Sequence, residues 1–173
     1  MDVNAVVELF RKTLTEHYFD MKGRVGRREF WWFVAACIAV SIAAAIIDVV
    51  ISIGILRPLV GLALLLPMAG MTARRLQDTG RNATLVWVWV GLYAIILVIA
   101  LLTALAGPIG ALAFLGLFLM LGGLMVLLSL ATLVVAVVLI YFCIQPGNPE
   151  ANTYGPPPPD FNPMTPAAPP KAS

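Results

Sequence analysis

Between Arg81 and Glu150 the chain carries no Asp, Glu, Lys, Arg or His, and most of those 68 residues are Leu, Val, Ala, Ile, Phe, Met or Gly. No water-soluble domain keeps so long an uncharged interval. A hydrocarbon core about 30 Å thick takes about 20 apolar residues per helical crossing, so the interval accommodates at least two crossings. Composition agrees: 61% of the 173 residues are hydrophobic and the mean hydropathy is +0.94, against roughly 45–50% apolar usage in soluble domains. The expected fold class is all-α: a polytopic membrane protein of about four transmembrane helices, preceded by an amphipathic interfacial helix and followed by a disordered Pro-rich C-terminal tail.

Three regions follow. Residues 1–22 hold the amphipathic helix, because Val3, Val6, Val7, Phe10 and Leu14 recur with the 3.6-residue period. Two placements fit it, along the membrane surface or against a soluble partner. Residues 23–145 form the membrane domain, with spans expected at 30–53, 59–72, 85–106 and 124–142. The charged segment before the first span is too long for a signal peptide, so that span is read as retained. Residues 146–173 are the tail, in which nine of the last 25 residues are proline, a composition that stays extended and mobile.

Within the domain, Trp31 and Trp32 open the first span at headgroup level, and Ala35, Ala39 and Ala43 form a small-residue face for another helix. Asp48 interrupts that span. An intramembrane acid suggests function, but about 1.5 Å per residue places it near the far interface, where pairing with Arg57 is the simpler account. The second span is short and should continue as a helix through Arg74 and Arg75, with Gly80 suited to a C-terminal cap and Asn82 or Thr84 capping the next helix. Gly107-Pro108 should end the third span, leaving 109–121 as an interfacial or re-entrant piece, and Gly122-Gly123 should mark a break.

Nine of the eleven Lys and Arg residues precede residue 76. By the bias of basic residues toward the cytoplasm, both termini should be cytoplasmic. Basic residues that hug span ends argue against nucleic acid, which needs a basic patch on a soluble surface. Cys37 and Cys143 sit in apolar runs without Cys or His at ligand spacing, so they read as buried thiols; no metal site, cofactor or catalytic motif is expected. His17, the only histidine, reads as solvated.

The candidate site lies in two basic clusters on one face: Arg24, Arg27, Arg28 and Glu29 before the first span, and Arg74, Arg75, Asp78 and Arg81 after the second. Setting topology explains such cations in part. The embedded acids suggest specific pairing: Asp78 with Arg74 or Arg75 at helical spacing, and Glu29 with an arginine of the other cluster. The clusters suit an anionic phospholipid headgroup, because a guanidinium can bond two phosphate oxygens, or a membrane-protein partner or second copy of the chain. The expected function is thus a non-catalytic membrane module that binds anionic lipid or a protein partner. The alternative is a small-solute transporter or transporter subunit, with Gly122-Gly123 as its broken-helix candidate.

Three motifs, in order, carry a resemblance: Gly-Arg, two residues, Arg, one residue, Glu-Phe-Trp at Gly23 to Trp31; Arg-Arg-Leu-x-Asp-x-Gly-Arg at Arg74 to Arg81; and Gly147-Asn148-Pro149-Glu150-Ala151-Asn152-Thr153-Tyr154-Gly155-Pro156. Together they resemble the bacterial inner-membrane family known as domain of unknown function 805, with its YhaH-type proteins. The resemblance implies a multi-spanning cytoplasmic-membrane protein and no established activity. Gln77 stands where the second motif commonly has His, and Ala83-Thr84 where Gly-Trp is usual.

Overall fold

The computed structural model describes residues 3–52, 54–120 and 122–159. They form five helices: α1 (Val3–Thr15), α2 (Arg27–Ile51), α3 (Leu56–Asp78), α4 (Thr84–Met120) and α5 (Gly122–Ile144). Among the described residues, three helices are long and apolar enough to cross a membrane, Arg27–Ile51, Leu56–Asp78 and Val126–Ile144, while Thr84–Ile99 is apolar but shorter. The chain is an all-helical membrane protein by this measure. Its outward surface agrees, since Ile42, Ile46, Val49 and Val50 on α2 and Val134 and Val137 on α5 are exposed, positions that only lipid would solvate well.

The third helix is the centre of the bundle, packing against α2, α4 and α5, and α1 lies on α2. Its second half, Ala69 to Asp78, is buried without interruption. The core joins Phe33 and Cys37 of α2, Met71 and Leu76 of α3, Val86 of α4 and Leu139 and Cys143 of α5. Close approach requires small residues: a Cβ at Gly61 would stand 3.0 Å from the Leu97 side chain, and one at Gly70 would stand 2.8 Å from the carbonyl oxygen of Asp20.

Pro67 lies inside α3. Proline has no N–H, so the carbonyl four residues earlier loses its helical donor. That carbonyl belongs to Ala63, and the Tyr18 hydroxyl donates to it at 2.8 Å. The segment linking α1 to α2 thereby repairs the helix that it packs against.

Several expectations need correction. The first helix ends at Thr15, and its Leu9, Phe10 and Leu14 pack on the core of its own bundle, with the Phe10 and Phe33 rings 5.7 Å apart; Val3 and Val7 stay exposed. Asp48 does not use the Arg57 guanidinium. Its two carboxylate oxygens accept the main-chain amides of Leu56 at 3.0 Å and Arg57 at 2.6 Å, satisfying two of the orphan donors at the start of α3. The main chain of α4 runs helically through Gly107 and Pro108, and residues 109–120 continue it. In an apolar medium, losing one hydrogen bond at proline costs less than exposing several unpaired groups. The division expected at Gly122-Gly123 is found: α4 ends at Met120 and α5 opens with these glycines, while Leu121 is outside the described residues. Gly80 ends α3 as expected, with φ +77°, and the Asn82 side chain accepts the Thr84 amide at 3.3 Å.

Candidate functional site

At one end of the bundle α2 begins, α3 ends and α5 ends, and the three motifs meet there. Helix α3 carries its charges past the apolar run because the side chains of Arg75 and Asp78 find partners on neighbouring segments. The segment before α2 is pinned beside it, with the Val25 amide donating to the Arg74 carbonyl at 3.3 Å. That contact sets Arg24 opposite Asp78.

Arg24 donates from Nε to Asp78 Oδ1 at 2.9 Å and from its terminal nitrogens to the carbonyls of Glu150 at 2.7 Å, Gly155 at 3.2 Å and Asn148. Arg75 donates to Asp78 Oδ2, to the Cys143 carbonyl at 3.1 Å and to the Gln145 carbonyl. The side chains of Arg24, Arg75 and Asp78 are 1%, 0% and 4% exposed, so three charges sit together out of water. One carboxylate cannot balance two guanidiniums; the carbonyl oxygens supply the remainder. Those of Cys143 and Gln145 lie at the end of α5, where helix carbonyls lack donors and the helix dipole is negative. Arg75 therefore caps α5 from the side of α3.

The C-terminal segment closes the arrangement. The Asn148 amide donates to the Asp78 carbonyl at 2.8 Å, Asn152 and Gly155 exchange main-chain hydrogen bonds at 3.1 and 3.0 Å, and Asn152 Nδ2 donates to the Gln77 carbonyl at 2.9 Å. Gly147 is the only type that fits its position, since a Cβ there would lie 2.6 Å from Asp78 Cγ. The expectation of a mobile tail from 146 is thus corrected for residues 147–155: polar bonds, not apolar burial, hold them. Residues 160–173 are outside the described residues.

The other candidates divide. Arg74 is buried but turns away from Asp78: it contacts Met71 Sδ at 3.1 Å, its Nε has no hydrogen-bond partner among the described residues, and Asp20 and Glu29 are its nearby acids. Glu29 makes no direct ion pair among the described residues, so the ion pair between clusters uses Asp78 and Arg24 instead. Burial pushes the Asp20 carboxyl up, but the Lys22 amide, Arg74 and His17 outweigh it and hold the group below its ordinary value. His17 Nδ1 lies 3.1 Å from Asp20, so the expected solvated histidine has a partner. Gln77 Nε2 donates to the Met21 carbonyl at 2.9 Å, bracing the α1–α2 segment. Arg81 lies 4.3 Å from the centre of the Phe142 ring. Arg27 and Arg28 are exposed. Cys37 and Cys143 are free and buried.

Gly147, Asn148 and Asn152 were not among the sequence candidates, although the third motif contains all of them. Its Gly-Asn start beside an uncharged helix was the available signal. The arrangement is filled by the chain's own carbonyls, so its chemistry is that of a clasp joining three segments. Searches among curated proteins and among solved structures found no match. The model of the family described as protein of unknown function (DUF805) matches residues 18–156. That interval contains every segment of the clasp, and the chain belongs to this family.

Proposed function

We propose that the chain is a non-catalytic module of the bacterial cytoplasmic membrane, N-terminus inside, that binds anionic phospholipid headgroups at its basic end. The observation that carries this reading is the division among the arginines. Arg24 and Arg75 are spent on the clasp, whereas Arg27 and Arg28 stand exposed at the first turn of an apolar helix, one turn before the half-buried Trp31 and Trp32. Exposed Lys12 and Lys22 extend the charge. Each such cation contributes about 1 kcal/mol of attraction to an anionic leaflet. The orientation rests on the same asymmetry, because Arg57, in the first turn of α3, is the only basic residue between Arg28 and Arg74.

A transport route would call for polar groups facing a path through the spans. Ser41, Thr72 and Thr132 turn their hydroxyls to carbonyls of their own helices instead. The test is electron spin resonance of chain-labelled lipids around the full chain in bilayers of phosphatidylglycerol and phosphatidylcholine. Arg27→Gln/Arg28→Gln should weaken the preference for phosphatidylglycerol by about 2 kcal/mol in total. An unchanged preference contradicts the proposal.

A further inference from the structure

Helices α2 and α5 both pack on α3 and leave a groove between them. It encloses about 630 Å³, within the roughly 300–1,000 Å³ of small-molecule sites. One wall is α2 from Trp31 to Ala45, which at 1.5 Å per residue is about 21 Å long, more than half of the roughly 30 Å hydrocarbon thickness. The surfaces are mostly apolar; of the three hydroxyls on them, those of Ser41 and Thr72 already donate to the carbonyls of Cys37 and Met68, and Tyr93 carries the third.

Its end away from the clasp is different. Arg57 lines the groove there, and its guanidinium has no hydrogen bond or ion pair among the described residues. The nearby carboxylate is already engaged, because Asp48 is held by the main-chain amides of Leu56 and Arg57. A single unpaired guanidinium at the end of a long apolar groove is complementary to one anionic head on a long chain. We infer that the groove holds one acyl chain of an anionic phospholipid from the leaflet opposite the clasp, with the lipid phosphate on Arg57. This site shares no residue with the exposed Arg27 and Arg28, and neither proposal depends on the other.

The test is native mass spectrometry of the full chain released from micelles containing palmitoyl-oleoyl phosphatidylglycerol or the matching phosphatidylcholine. Wild type should retain one phosphatidylglycerol per chain under collisional activation and lose phosphatidylcholine readily. In Arg57→Gln retention should fall about tenfold or more, as loss of a charge-assisted bond implies; the exposed side chain is removed while the amide that Asp48 binds remains. Ala45→Phe, which fills the groove without touching a charge, should lower retention similarly, and Arg27→Gln/Arg28→Gln, which removes only the headgroup contacts proposed at the other end, should lower it less than Arg57→Gln does. Equal retention of the two lipids, retention that survives Arg57→Gln, or loss only in the Arg27/Arg28 variant overturns the inference.

Discussion

Asp78 is the residue on which the clasp turns, because among the described residues it is the only carboxylate that touches the guanidiniums of both Arg24 and Arg75. Removing one partner of a buried charge group leaves the others uncompensated, at a cost of about 3–5 kcal/mol. Asp78→Asn should therefore lower the melting temperature of the protein in mild detergent sharply, whereas Arg28→Gln should leave it unchanged; equal effects would mean the charges are not coupled as described. Arg24→Lys should fail to restore the site, since an ammonium lacks the planar fork that reaches Asp78 and three carbonyls together. The Arg75–Asp78 pair was legible in the sequence because residues three apart share a helix face. The Arg24–Asp78 pair was not, since 54 residues separate them and Glu29 offered an equally good acid. The carbonyl acceptors were invisible for a deeper reason: every residue has one, and only the fold decides which are left without donors.

At the scale of elements, the apolar runs located the long helices, and departures arose where a local breaker was repaired by a distant group. Proline at 67 does not end α3, because Tyr18 supplies the hydrogen bond that the freed Ala63 carbonyl requires. Proline at 108 does not end α4, because the surrounding medium favours continued helix. Asp48 stands near the end of α2, yet it works for the start of α3, which has no side-chain cap of its own. Its replacement by alanine should therefore cost about 1 kcal/mol, as for an N-cap, while Asp48→Asn retains an acceptor and should cost less. Thermal denaturation of the two variants checks the ranking, and equal losses would assign Asp48 a role beyond capping. The amphipathic face of α1 reports that a partner exists without saying whether it is lipid or protein: Leu9, Phe10 and Leu14 meet protein, whereas Val3 and Val7 stay exposed.

For the whole molecule, distant parts of the chain meet at one end of the bundle. The segment before α2, the end of α3 and residues 147–155 are mutually bonded, and the family match from residue 18 to residue 156 covers that unit. Exposed cations at this end and the lone Arg57 at the other divide the surface into two electrostatically distinct faces. The claim that supports the rest is that the C-terminal segment is part of the folded domain. Hydrogen exchange of the main-chain amides of Asn148, Asn152 and Gly155, each a donor within the clasp, measures this directly in the full-length protein. The account predicts slow exchange in the wild type and exchange about tenfold faster or more in Arg24→Gln, whose loss opens the segment locally. Exchange at the rate of an unprotected chain in the wild type would contradict it.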